Sequence, residues 1–268
     1  MTRKGCLIGN SHMTCFAEAW KEVSDLYPQA DLTFFGAPGQ TLNATALENG
    51  EILPTSERTK RAFSYTAEKD SVVLAEYDFF VLIGARTGAG VAAQLQRQHR
   101  LIGQTGRTKV RNLVSDAAFQ AAMYDYYRTG AIGHLASLLK AGGVSAPVFV
   151  YSSPNADIRV TKMDNIAGAL YREYVEAPDP VPILRMAQQT DDRLRAEGLI
   201  PIPQSPETVV NDIMTDSRFS IYADALAKGA DPDGDDVRHM NAAFGKLALK
   251  DLFNRLAEEQ NQPKTDAA

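Results

Sequence analysis

The sequence predicts an α/β fold: a doubly wound parallel sheet covered by helices on both faces, in three layers. Two observations carry this. Short apolar runs alternate with helical stretches along the chain, and the runs end in exits rich in Gly, Ser or Pro. The strongest run, residues 79–83 (FFVLI), is apolar throughout, as in a strand buried on both faces of a parallel sheet.

Taken in order, residues 5–9 form the first strand. Residues 13–26 follow as a helix, with Phe16, Trp20, Val23 and Leu26 near helical spacing. "ADLTFFG" is the second strand, leaving through Pro38 and Gly39, and residues 79–83 are the third. Residues 148–151 are a fourth strand, stopped by Ser152, Ser153 and Pro154. A weaker strand lies in "GLIPIP". Helical patterns cover 116–140, 183–197 and 241–258, the last with Phe244, Ala248, Leu252 and Leu256 on one stripe. Residues 41–70 are polar and irregular, with a charged patch, "SERTKR", expected as a solvated loop. Residues 152–182 are rich in Pro, Asp and Asn. Both stretches exceed simple connections and are expected as long loops bordering the site, with 152–182 a lid or insertion. Residues 1–258 are expected as one domain and 259–268 as a disordered tail.

Composition narrows the function. The chain has 268 residues and a net charge of -5, from 28 basic and 33 acidic side chains, with no long basic run, so nucleic acid is not an expected partner. No apolar stretch approaches the roughly 18 residues that span a membrane. The apolar run after the first basic residues is only Cys6 to Ile8, shorter than the about 7 residues of a signal-peptide core, so the expected location is cytoplasmic. Cys6 and Cys15 form no disulfide framework, and His12, His99, His134 and His239 are too scattered for metal-ligand spacing. Neither metal nor cofactor is expected. His99 is read as a solvated helix face and His134 as packed on a helix.

Two short stretches carry chemistry. "GNSH", residues 9–12, sets a serine at the exit of the first strand where a helix opens. Exposed N–H groups and the positive end of the helix dipole there suit a developing oxyanion. "DVRHMN", residues 236–241, sets Asp236 three residues before His239. At that spacing the carboxylate can reach Nδ1, fix the tautomer and leave Nε2 to take a proton from a serine hydroxyl. Alone, each reads as a turn or a helix-start decoration; together, in the order Ser, Asp, His, they make Ser11, Asp236 and His239 candidate catalytic residues. "GARTGAG" lacks both G-x-G-x-x-G and the P-loop lysine, which argues against a phosphate loop.

The combination resembles the SGNH (GDSL-like) hydrolase superfamily, whose first block is a Gly-Asp-Ser turn, here Gly9-Asn10-Ser11-His12. The "GNSH" form is similar to the Gly-Asp-Ser-His variant of SGNH domains that handle acyl groups on carbohydrates. The family's oxyanion glycine matches Gly39 in "FFGAPGQTL", and its Asp-x-x-His block matches Asp236 to His239, followed by Asn241. After the third strand the family has Gly-x-Asn-Asp; here Gly84 aligns, but Arg86 stands in place of the Asn oxyanion donor. The resemblance covers both ends of the domain and leaves 100–230 without motif support. It implies a flavodoxin-like sheet and a serine esterase or acyltransferase acting on small acyl esters, such as acetyl, on a small molecule or glycan. The oxyanion hole would comprise Ser11, Gly39 and Arg86. His12, Gly84 and Arg86 are the candidate substrate-binding residues, with a cap or turn packing as the alternative for His12 and a structural salt bridge for Arg86. The competing function is a catalytically impaired SGNH-fold protein that binds a glycan or an anionic ligand through Arg86.

Overall fold

The computed structural model describes residues 2–96, 99–102, 112–176, 180–229 and 236–261. Five parallel strands form the central sheet: β1 (Arg3–Gly9), β2 (Ala30–Gly36), β3 (Phe79–Ala85), β4 (Val148–Ser152) and β5 (Ile200–Ile202). Their order across the sheet is β2-β1-β3-β4-β5, the doubly wound flavodoxin-like order. Winding reverses between β1 and β3. In this fold the crevice at that point, beyond the carboxyl ends of the strands, is where ligands bind.

The sheet is covered because its side chains alternate. In β1, Cys6 and Ile8 point to one face and Leu7 to the other; in β3, Phe80 and Leu82 oppose Phe79, Val81 and Ile83. The helices are α1 (Thr14–Val23), α2 (Glu57–Ala67), α3 (Ala89–Leu95), α4 (Asp116–Arg128), α5 (Ala131–Ala141), α6 (Ile166–Glu176), α7 (Pro180–Ala196), α8 (Ile221–Ala227) and α9 (Ala242–Asn261). Phe63 of α2 and Leu135 and Leu139 of α5 cover the first face. Phe16 and Ala19 of α1, with the expected Phe244, Ala248, Leu252 and Leu256 stripe of α9, cover the second. A third apolar cluster, drawn from α3, α4, α6 and α7, also takes in Val237 of the loop before α9. Among the described residues no helix is long and apolar enough to cross a membrane.

Several elements depart from expectation. The first helix stops at Val23, ahead of Pro28, whose ring disfavours helical geometry before it; Leu26 then turns outward and is 72% exposed. Residues 41–70 are ordered. Thr45–Glu48 and Glu51–Pro54 form a hairpin across Asn49 and Gly50, both with positive φ (50° and 81°), as a tight hairpin turn requires. "SERTKR" is the start of α2, where the Ser56 hydroxyl accepts the Thr59 N–H at 3.2 Å, and Phe63 packs edge-on against Phe35. The 116–140 pattern is two helices, because Gly130 takes an extended conformation (φ -81°, ψ 165°). Within 152–182 the described residues form a 3-10 turn, Ile158–Lys162, then α6 and the start of α7, and 177–179 lie outside the described part. The α9 helix runs to Asn261, past the expected start of the tail, and residues 262–268 lie outside the described part.

Candidate active site

The site forms where β1 and β3 leave the sheet. Asn10 opens a single 3-10 turn, Ser11–Met13, that leads directly into α1. Its side chain works in both directions: Oδ1 accepts the His12 N–H at 3.1 Å and Nδ2 donates to the Gly84 carbonyl at 3.3 Å. The Asn10 amide thus ties the turn carrying Ser11 to the end of β3. Gly84 has φ +93°, and a Cβ there would fall 2.4 Å from the Asn10 side chain, so no other residue fits this contact.

Although 228 residues apart in sequence, Ser11 and His239 meet. His239 Nε2 lies 2.9 Å from Ser11 Oγ, and His239 Nδ1 lies 2.8 Å from Asp236 Oδ2. Asp236 Oδ1 also accepts the backbone N–H groups of Arg238 and His239, each at 3.1 Å. Burial pushes the Asp236 carboxyl up, but these hydrogen bonds and the His239 ring outweigh it and hold its pKa below the ordinary value. The carboxylate therefore stays ionised beside the ring.

The 236–240 loop is anchored from behind. Asp157, fully buried, pairs with Arg159 at 2.8 Å and accepts the Ser217 hydroxyl at 2.7 Å; Arg159 also donates to the Asp236 carbonyl at 2.9 Å and lies 3.7 Å from the centroid of the Tyr222 ring. The Asp157 N–H donates to the Val237 carbonyl at 2.8 Å, and Asn241 Nδ2 donates to the Arg218 carbonyl at 2.9 Å and to Asp224 at 2.9 Å. These contacts fix the imidazole by fixing the backbone on both sides of it.

His12 sits beside this pair, its ring centroid 5.7 Å from that of His239 and its Nδ1 buried with no hydrogen-bond partner among the described residues. Burial, reinforced by His239 and Arg238, pushes its pKa down to about 4, so the ring is neutral at pH 7.

A cleft of about 220 Å³ opens beside Asn10 and His12, the residues on either side of Ser11. Its wall includes four of the residues singled out from the sequence: His12, Gly39, Gly84 and Arg86. Gly39 lies in the exposed loop after β2, with φ +57°. The Arg86 guanidinium lies over the Tyr126 ring, 4.6 Å from its centroid, and among the described residues it makes no ion pair. Four further wall residues, Arg238, Gln94, Tyr126 and Tyr171, were not identified from sequence. Only Arg238 had a signal, lying inside the Asp-x-x-His block. The remaining histidines are elsewhere: His99 begins a short strand, His99–Leu101, paired with Asn112–Val114 instead of riding on a helix, and His134 on α5 contacts the Thr45 carbonyl through Nε2 at 3.0 Å. Among the described residues no three His, Cys, Asp or Glu side chains come together as a metal ion would require.

No protein-family model matches the chain, and no curated protein does. Among solved structures, the chain is similar to a GDSL-like lipase from Bacteroides thetaiotaomicron, at 11% identity over 97% of this chain and 89% of that one, with a TM-score of 0.45. It is similar to a DUF4886 family protein from Bacteroides uniformis at 12% identity, over 100% and 88% of the two chains, with a TM-score of 0.47. It is also similar to a member of the lipolytic protein G-D-S-L family from Veillonella parvula at 10% identity, over 95% and 98%, with a TM-score of 0.39.

Proposed function

We propose that the protein is a serine-dependent ester hydrolase or acyltransferase of SGNH type, with Ser11 as nucleophile, His239 as base and Asp236 as the orienting carboxylate. The observation that carries this reading is the continuous chain from Ser11 Oγ through both ring nitrogens of His239 to Asp236, at 2.9 Å and 2.8 Å. Ser11 Oγ attacks the ester carbonyl carbon while His239 Nε2 takes the hydroxyl proton. The tetrahedral intermediate collapses, the imidazolium returns its proton to the leaving alcohol oxygen, and an acyl-Ser11 ester remains. Water or an acceptor hydroxyl then attacks that ester by the same steps in reverse. We assign the oxyanion to the backbone N–H groups of Ser11 and Gly39; loss of one such donor typically costs about 100- to 1000-fold in rate. A small acyl group on a carbohydrate is the substrate class that resemblance to the "GNSH" form suggests.

The test is a fluorophosphonate label and a burst of nitrophenol from p-nitrophenyl acetate. Both are expected in the native chain and absent in Ser11→Ala, with Asp236→Asn slowing turnover on the order of 1000-fold or more. A folded native chain that takes no label at Ser11 refutes the reading. The competing reading, a non-catalytic binder of a glycan or anion, is favoured by one feature, the arginine at the position where the family has its asparagine donor. The same label separates the two.

A further inference from the structure

The cleft beside Ser11 has a charge pattern opposite to that of the chain. Acidic residues outnumber basic ones overall, 33 to 28, yet among the described residues the cleft wall contains Arg86 and Arg238 and no Asp or Glu. Among the described residues neither guanidinium is paired with a carboxylate. The planar guanidinium fork matches the two oxygens of a carboxylate or phosphate.

Arg86 is braced without that partner, whereas Arg238 is an exposed residue positioned through its backbone. Arg86 lies over Tyr126, and its Cδ would be 3.4 Å from a Cβ at Gly130, so its stem runs along the start of α5. Arg238 follows Val237, which is 5% exposed in the third apolar cluster, and its backbone N–H is held by Asp236. It lines the cleft together with His12 and Tyr171. The first turn of α5, which no side chain caps, supplies another part of the wall through Gly130, Ala131 and Ile132, adding the positive end of a helix dipole. Positive groups from the loop after β3, the start of α5 and the loop before α9 thus line one polar space beside the turn that carries Ser11.

We propose that the ester acted on here is anionic: a fixed carboxylate or phosphate of the substrate is held by Arg86 and Arg238 while the acyl carbonyl lies at Ser11. The inference rests on the esterase reading above and deepens it by naming the charge class of the substrate. Arg86 is then a binding residue that has exchanged oxyanion donation for recognition of substrate charge, and Arg238 couples that recognition to the loop bearing His239.

The experiment compares kcat/KM for matched esters. 3-Acetoxybenzoate and its methyl ester differ in a charge on the alcohol side, and 4-nitrophenyl hemisuccinate and its methyl ester differ in one on the acyl side. 3-Acetoxyphenyl phosphate exchanges the carboxylate for a phosphate. After correction for intrinsic reactivity, the native chain is expected to prefer at least one charged ester by about tenfold or more, and the preferred probe identifies the anion and its side. The charged-to-neutral ratio is expected to fall about tenfold in Arg86→Gln and in Arg238→Gln, and to survive in Arg86→Lys, which also serves if Arg86→Gln fails to fold. Because the readout is a ratio, a general loss of rate does not mimic the effect. No preference for any charged ester, or a preference unchanged in the double variant, overturns the proposal. Calorimetric binding of 3-acetoxybenzoate and 3-acetoxyphenyl phosphate to Ser11→Ala separates the two readings. Binding that depends on the arginines, with no turnover in the native chain, sinks the esterase reading alone. Turnover of neutral esters without such binding sinks the charge inference alone.

Discussion

Replacing Arg159 by Met removes the counterion of a carboxylate that has no access to water. Asp157 is fully buried and would keep only the Arg159 backbone N–H at 2.8 Å and the Ser217 hydroxyl at 2.7 Å. It would lose the guanidinium contacts through Nε and a terminal nitrogen, both at 2.8 Å. Breaking a buried pair by removing one partner costs about 3–5 kcal/mol. The two surviving hydrogen bonds argue for the lower end, about 3 kcal/mol, which includes the lost stacking on Tyr222. Urea unfolding followed through Trp20 fluorescence measures this directly. Trp20 is the single tryptophan, packed beside the stacked Tyr27 and Phe253 rings, and reports on the α1–α9 side of the sheet. The double variant Asp157→Asn with Arg159→Met no longer buries an unpaired charge and should regain at least about 1 kcal/mol. Arg159→Met should also slow labelling of Ser11, since the Asp236 carbonyl loses its 2.9 Å donor. A loss below about 1 kcal/mol, or no recovery in the double variant, would refute the claim that this pair anchors the loop.

Further outcomes follow from the same contacts. The His12 pKa is depressed to about 4, so between about pH 6.5 and 4 the unfolded chain binds more protons than the folded one. Stability is therefore complete above pH 6.5 and declines as pH falls through that window, by on the order of 2–3 kcal/mol, and denaturant titrations of His12→Gln should lack this component. Gly84→Ala places a Cβ 2.4 Å from the Asn10 amide at φ +93° and should destabilise by about 2–4 kcal/mol; an unchanged midpoint in urea would contradict the role given to that contact. Asn10→Asp removes the amide that donates to the Gly84 carbonyl, so it should lower stability by about 1–2 kcal/mol, more as the carboxylate ionises, which melting at pH 3 and pH 7 will show.

The sheet was legible because its strands are short, apolar and closed by small residues, and residues 79–83 have no amphipathic alternative. What escaped is mostly what packing decides. The Asn49-Gly50 pair carries a hairpin signal within the stretch read as irregular, but its neighbours are too polar and too short to register as strands. The "SERTKR" charges obscured α2, whose buried residues, Thr59 and Phe63, stand only one turn apart. His99 entered a strand through pairing with 112–114, a non-local contact that periodicity does not report. At the site, Ser11, Asp236 and His239 were identified because each sits in a short local motif at an element boundary. Tyr126, Gln94 and Tyr171 lie on three helices, α4, α3 and α6, and become neighbours only through the third apolar cluster. The replacement at Arg86 was visible in the sequence, whereas its stacking on Tyr126 was not.

The 228-residue separation of Ser11 from His239 sets an order of assembly during synthesis. Strands β1 to β5 and the helices on the Cys6 and Ile8 face are all made before the imidazole. The opposite face waits for α9, which packs on α1 so closely that a Cβ at Gly245 would meet the Cys15 carbonyl oxygen at 2.0 Å. A nascent chain therefore carries Ser11 without His239 while all five strands of its sheet are already available to fold. His239 lies just ahead of α9, so the side chain that meets the Ser11 hydroxyl and the helix that closes the second face leave synthesis together.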